Sequence, residues 1–109
     1  MAASPLGTLE ELVLLSVCVL GRDAYGTSVL NELTEQTGRT LTLGAVHTTM
    51  YRLQDKGYLK SELGGATRQR GGRRKRLFEV TGAGLDALRE GRNIRERMWK
   101  LAPDLGGSM

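Results

Sequence analysis

Residues 58–80 read YLKSELGGATRQRGGRRKRLFEV, and they contain the most informative pattern of the sequence. Apolar and polar side chains alternate in residues 58–63, as in a half-buried strand, and residues 77–80 form a second strand-like segment. The segment between them contains no acidic residue near its cations, which are Arg68, Arg70, Arg73, Arg74, Lys75 and Arg76. The stretch therefore predicts an antiparallel hairpin whose connecting segment is basic and rich in glycine.

Three helical patterns precede this hairpin. The first covers residues 8–20, where Thr8 and Glu11 have the S/T-x-x-E spacing of a capping box. The second runs from about residue 26 to 37 and the third from about 44 to 56, each followed by a glycine that favours a helix end. Two short helices that directly precede a hairpin predict a helix-turn-helix unit.

The third helix has two chemically different sides. Val46, Met50 and Leu53 are spaced i, i+4 and i+7 and predict the buried stripe. The opposite side carries His47, Thr48, Tyr51, Arg52 and Asp55. Hydrogen-bonding groups of several types suit the donors and acceptors in the major groove of DNA. The alternative is an ordinary solvated helix face, which is less favoured because the basic segment follows so closely.

Helix-turn-helix followed by a basic hairpin predicts a winged-helix domain, mainly α with a small β-hairpin. The charge distribution agrees with a nucleic-acid partner. Residues 41–78 carry +7, so the remainder of the chain carries −3 of the net +4. A membrane is less favoured, because no stretch approaches the roughly 20 apolar residues that a spanning helix needs. We expect Arg52 and the six cations of the hairpin, with His47, Thr48 and Tyr51, to contact double-stranded DNA.

A fourth helix, from about residue 83 to 101, follows the hairpin, with Thr81 as its cap. Its apolar residues recur at spacings of 4, 3, 4 and 3, a seam of coiled-coil type: Ala87, Gly91, Ile94, Met98 and Leu101. The first helix is apolar nearly all round, so one small core cannot cover it. These two faces predict a homodimer whose interface includes Leu9, Leu12, Val13, Ile94, Met98, Trp99 and Leu101. The expected organisation is a DNA-binding region at 1–80, a dimerisation helix at 81–102 and a flexible tail at 103–109.

Other classes of function have little support in the sequence. His47 is the only histidine and Cys18 the only cysteine, and no nucleophile motif, phosphate-binding loop or metal-ligand spacing is present. We therefore expect no enzyme activity, cofactor or metal, and we expect Cys18 to be a small buried apolar residue. Residues 1–7 lack the charged start of a signal peptide, which favours a cytoplasmic location.

Five short motifs carry a family resemblance. They are LGTLE at 6–10, DAYG at 23–26, GAVHTTMYRL at 44–53 followed by KGY at 56–58, RGGRRKR at 70–76, and VTxxG at 80–84. In this order and spacing the chain resembles the PadR-type winged-helix transcriptional regulators of bacteria, from about Leu6 to Leu101. One departure concerns the third helix, where His47 and Thr48 stand at positions that are usually tyrosine and often proline.

The resemblance implies a homodimer that binds operator DNA, usually as a repressor, with the first and last helices in the dimer interface. Some members of the family also have a pocket at that interface, so the resemblance implies a possible site there for a small aromatic or hydrophobic effector. The alternative from another class is a winged-helix module that binds proteins and has no specific DNA contact. The density of cations in residues 68–76 argues against that alternative.

Overall fold

The computed structural model describes residues 6–64 and 75–103. Its elements are the helices α1 (Thr8–Leu20), α2 (Gly26–Thr37) and α3 (Leu43–Asp55), the strands β1 (Leu59–Leu63) and β2 (Arg76–Val80), and the helix α4 (Gly82–Leu101). The strands pair antiparallel, with Leu59 opposite Val80 and Leu63 opposite Arg76. This mainly helical arrangement with one small hairpin confirms the predicted fold class.

The core lies where α1, α2 and α3 meet beneath the hairpin. The predicted stripe of α3 is confirmed, since Val46, Met50 and Leu53 are fully buried. Leu14 of α1 and Leu33 of α2 pack in the same cluster. The hairpin and the turn before it close the core with three further side chains, Tyr58, Leu59 and Phe78. The hairpin is therefore held by apolar burial at its base, the end nearest α3.

The start of α1 differs from the predicted capping box. Gly7 is the N-cap, and its N–H donates to Oε1 of Glu10 at 2.8 Å. The prediction of Thr8 and Glu11 as the capping pair was wrong by one residue. The reason lies in distant partners, because Lys56 at the end of α3 donates to both carboxylate oxygens of Glu10, at 3.0 and 2.8 Å. Glu11 instead pairs with Arg95 of α4.

The Glu10 carboxylate is nearly buried, which affects its ionisation. Burial favours the neutral carboxyl and would raise its pKa. The hydrogen bonds from Lys56 and from the backbone N–H of Gly7 act in the opposite direction, and they hold the pKa of Glu10 below its ordinary value. The charged carboxylate thus joins the first turn of α1 to the end of α3.

The start of α4 is fixed against the turn between α3 and β1. Thr81 is the N-cap as predicted, and its Oγ1 accepts from the N–H of Gly84 at 3.0 Å. The same hydroxyl donates to the carbonyl of Gly57 at 2.7 Å, and the N–H of Thr81 donates to the carbonyl of Tyr58 at 3.0 Å. Gly84 is so close that a Cβ there would lie 2.4 Å from the Tyr58 carbonyl oxygen. Only glycine therefore fits at this crossing.

Replacing Gly84 with alanine should lower the free energy of unfolding by roughly 1–3 kcal/mol, because backbone at such a close contact cannot move aside without repacking. Urea unfolding followed by circular dichroism measures the change. Gly82→Ala is the matched control, since a Cβ at Gly82, also in the first turn of α4, meets nothing within 4 Å. Equal stability of the two variants would contradict the proposed steric role of Gly84.

Candidate nucleic-acid interface

The exposed side of α3 is formed by the side chains that the sequence assigned to it. Thr48, Tyr51, Arg52 and Asp55 are all exposed and, at i, i+3, i+4 and i+7, share one face of the helix. The helix begins at a sharp cap, where the Thr42 hydroxyl accepts from the N–H of Ala45 at 3.1 Å. This face combines hydroxyl, phenol, guanidinium and carboxylate groups on one rigid element.

His47 lies at the edge of that face and is half-buried. Its ring packs against Gly26 at the start of α2, where a Cβ would lie only 2.1 Å from Nε2. On its other side the imidazole is 6.3 Å from the Tyr51 ring, centroid to centroid. His47 therefore fills the junction between the two helices of the helix-turn-helix as well as contributing to its surface.

Tyr51 connects α3 to the hairpin. Its ring meets the buried Phe78 of β2 edge to face, with centroids 5.9 Å apart, and 44% of the residue remains exposed. Phe78 is itself fixed, because its N–H donates at 2.8 Å to the carbonyl of Ala24 in the turn before α2. The hydroxyl of Tyr51 is thus carried by a ring that is held in place by packing against the buried Phe78.

Two cations of the predicted basic segment lie within the described residues. Lys75 is exposed, and its Nζ lies 4.1 Å from the centroid of the Tyr25 ring, which is a cation–π contact. Arg76 is half-buried, and its Nη1 donates to the Ser61 hydroxyl at 3.1 Å. The remaining predicted contacts, Arg68, Arg70, Arg73 and Arg74, lie outside the described residues.

Side chains alternate across the hairpin, and this separates its charges. Ser61 and Phe78 are opposite each other on the face that meets α3. Lys60 and Glu79 are the neighbouring pair on the other face, where Nζ and Oε1 are 3.7 Å apart. The surface formed by Thr48, Tyr51, Arg52, Lys75 and Arg76 is called here the α3–hairpin surface. It is polar and carries three cations.

A family model described as the transcriptional regulator PadR-like family matches residues 14–90. The chain belongs to the PadR-like family of transcriptional regulators. The matched residues include α2, α3, both strands and the first half of α4. The resemblance read from the five motifs is confirmed, and the family is one of regulators, not of enzymes.

Solved structures of other PadR proteins share the fold. A PadR family regulator from Eggerthella lenta has a TM-score of 0.68 and 27% identity, over 86% of this chain and 77% of that one. A PadR family regulator from Clostridium difficile has a TM-score of 0.60 and 25% identity, over 87% and 98% of the two chains. Bacillus subtilis PadR, solved in complex with operator DNA, has a TM-score of 0.60 and 16% identity, over 77% and 46%. A search of curated proteins found no match to this chain.

A second surface of this PadR-like protein is apolar and lies on α4. The far half of the helix exposes Ile94, Met98, Trp99 and Leu101, with the exposed fraction rising from 41% at Ile94 to 83% at Leu101. Leu9 and Leu12 of α1 are half-buried. Of the residues predicted for the dimer interface, Val13 needs correction, because the core of its own chain buries it completely. Sequence periodicity shows that α1 is apolar on several sides but not which side the chain itself covers.

The exposed side of α1 gives a further correction. Cys18 is exposed rather than buried, beside the exposed Val19. A groove of about 800 Å³ lies between this side of α1, the outer face of the hairpin and the start of α4, and Cys18, Leu77 and Leu85 are among its lining residues.

Within residues 6–64 and 75–103, no cluster of side chains is suited to hold a metal ion. Over the same residues, no helix has the length and apolar character needed to cross a membrane.

Sequence reasoning missed three residues of the α3–hairpin surface and its support. Tyr25 lies under Lys75, and Gln54 and Ser61 form a hydrogen-bonded chain with Arg76. The polar members, Gln54 and Ser61, give no periodic or motif signal. Tyr25 stands in the DAYG motif, which marked the turn but not the contact.

Proposed function

We propose that the protein is a sequence-specific regulator of transcription that binds double-stranded DNA as a homodimer and acts as a repressor on a pseudo-palindromic operator. The observation that carries the proposal is the α3–hairpin surface, where the exposed face of α3 lies beside cations held at the hairpin. A helix of this kind fits the major groove, while neighbouring cations bind the phosphates that fix its register. The operator complex of the structurally similar Bacillus subtilis PadR supports DNA as the partner.

The proposed role of each side chain on this surface follows from its chemical groups. Thr48 and Tyr51 present hydrogen-bonding groups on a rigid helix and are the proposed contacts to base edges, with His47 beside them. Arg52 is proposed to bind phosphate, as are the cations of the hairpin and of the segment that joins its strands, Arg68, Arg70, Arg73, Arg74, Lys75 and Arg76.

The proposed homodimer forms through α1 and α4. Trp99 and Leu101 at the end of α4 are the two most exposed of the large apolar side chains in the described chain, and Val19 of α1 is the next; exposure of this extent favours association. Such an interface would bring Trp99 and the groove beside α1 near the partner, which suits a small aromatic or hydrophobic effector. In this proposal residues 1–80 bind DNA, residues 81–102 dimerise and residues 103–109 form a tail. Its place of action is the cytoplasm, where a bacterial chromosome lies.

Selection of bound sequences from a library of randomised duplexes tests the proposal. We expect an enriched pseudo-palindrome whose half-site centres are about one helical turn, ~34 Å, apart. Affinity for that sequence should exceed affinity for a scrambled duplex by at least about 10³-fold. Absence of any enriched sequence, together with weak binding to all duplexes, would favour the protein-interaction module instead.

Replacing Tyr51 with alanine should weaken binding to the selected operator by roughly 1–3 kcal/mol and much less on scrambled DNA. The loss is expected because the phenol is proposed to contact base edges. Fluorescence anisotropy titrations on both duplexes give the measurement. Tyr51→Phe keeps the ring that packs on Phe78 and removes only the hydroxyl, so it should lose operator affinity without disturbing that packing. Equal losses on the two duplexes would show that Tyr51 does not read sequence.

A further inference from the structure

Three side chains from three elements form one hydrogen-bonded chain at the edge of the α3–hairpin surface. The Ser61 hydroxyl of β1 donates to Oε1 of Gln54, in the last turn of α3, at 2.5 Å. The Ser61 hydroxyl oxygen itself accepts from Nη1 of Arg76, at the start of β2, at 3.1 Å. Arg76 is therefore connected to α3 through a single hydroxyl group.

The direction of these hydrogen bonds matters for Arg76. A serine hydroxyl has one proton and two lone pairs, so donating the proton to Gln54 turns the lone pairs toward the guanidinium. The guanidinium has five N–H donors and uses one of them on Ser61, which leaves donors for the two oxygens of a phosphate. Among the described residues, no carboxylate lies within ion-pair distance of Arg76. Its charge is thus oriented but not neutralised.

The strand register places Arg76 beside the exposed face of α3. Arg76 is two residues from Phe78 on β2 and lies on the same face of the hairpin, against which the Tyr51 ring packs. Gln54 is three residues beyond Tyr51, or about one helical turn. A phosphate at the rim of a groove that receives Tyr51 would therefore lie near Arg76.

We propose that Ser61 is a positioning residue for DNA binding, which holds Arg76 on α3 through Gln54 so that the guanidinium binds a phosphate beside the groove that α3 enters. The inference rests on the proposed function. It assigns part of the DNA affinity to an uncharged residue on a strand, and it makes the hairpin and α3 one rigid unit rather than two independent contacts.

A double-mutant cycle tests this role, with wild type, Ser61→Ala, Arg76→Ala and the double variant titrated with a labelled duplex of mixed sequence at several salt concentrations. Ser61→Ala should weaken binding about 2- to 10-fold, as expected for loss of one hydrogen bond. Each of the two single variants should flatten the plot of log K against log salt by up to about 0.9 for each subunit that contacts DNA. In the Arg76→Ala background, Ser61→Ala should have no further effect, because Ser61 acts through Arg76. Ser61→Thr keeps the hydroxyl and should retain the wild-type slope.

The outcomes separate the inference from the function on which it rests. If wild-type protein shows no salt-dependent DNA binding, both fail. If the wild type binds DNA but Ser61→Ala has the same slope, or if the two substitutions are additive, only the role of Ser61 is wrong. Urea unfolding of each variant identifies a loss of folded protein. Should Ser61→Ala not fold, Gln54→Ala replaces it in the same cycle, with the same expected non-additivity.

Discussion

Replacing Ile94 and Met98 together with glutamate is expected to convert a homodimer into folded monomers. Both side chains are exposed in the single chain and lie on the 4-3-4-3 seam of α4. In a two-fold interface the double variant would place four carboxylates among apolar groups, without partners, so dimerisation should weaken by at least about 100-fold. Sedimentation equilibrium at micromolar protein measures the association constant.

A control variant separates this effect from added charge alone. Asn93→Glu with Lys100→Gln changes the net charge by the same amount on exposed positions outside the seam, and it should remain dimeric. Loss of the dimer should also abolish tight binding to a two-half-site operator, because each half-site would then bind independently. A wild-type protein that is monomeric at micromolar concentration would overturn the proposal of a homodimer.

Replacing Arg70, Arg73 and Arg74 with alanine is expected to weaken binding to specific and to mixed-sequence DNA alike. The six cations of residues 68–76 are not interrupted by any acid, and we expect two or three phosphate contacts for each subunit. Each contact that is lost should flatten the plot of log K against log salt by about 0.9. Because phosphate contacts carry no sequence information, the preference for the operator should persist.

The matched control removes three cations from α4, as Arg89→Ala, Arg92→Ala and Lys100→Ala, all of them exposed. That variant should keep the wild-type salt slope, since the proposal places α4 away from DNA. If the triple variant of residues 70, 73 and 74 also kept the wild-type slope, the basic segment would be excluded from the interface. Urea unfolding of both triple variants checks that the folded protein is being compared.

The elements that the sequence predicted correctly are those that local patterns specify. Val46, Met50 and Leu53 recur with the period of a helix, and the structure buries all three. Thr81 caps α4 because a hydroxyl at that position meets an N–H three residues later, whatever the rest of the chain does. The exposure of Thr48, Tyr51, Arg52 and Asp55 on α3 followed from the same periodicity, so this face of the helix was predictable residue by residue.

The errors arose where the outcome depended on a distant segment of the chain. Glu10 rather than Glu11 caps α1, and Lys56, 46 positions away in the chain, holds it there. Val13 and Cys18 lie on the same apolar helix, yet the chain covers one and exposes the other. Periodicity reports that a face is apolar, but the neighbour that covers it comes from a distant segment.

The order of helices and hairpin, the buried stripe of α3, the family and the concentration of positive charge in residues 68–76 could all be predicted before the structure was known. Each of these depends on local patterns, or, for the family, on the order and spacing of short local motifs. Three contacts could be seen only in the folded chain: His47 fills the space beside Gly26, Gly84 touches the Tyr58 carbonyl, and Ser61 joins Gln54 to Arg76. These contacts depend on the relative placement of whole elements, which the combined packing of the core fixes and which no local pattern encodes.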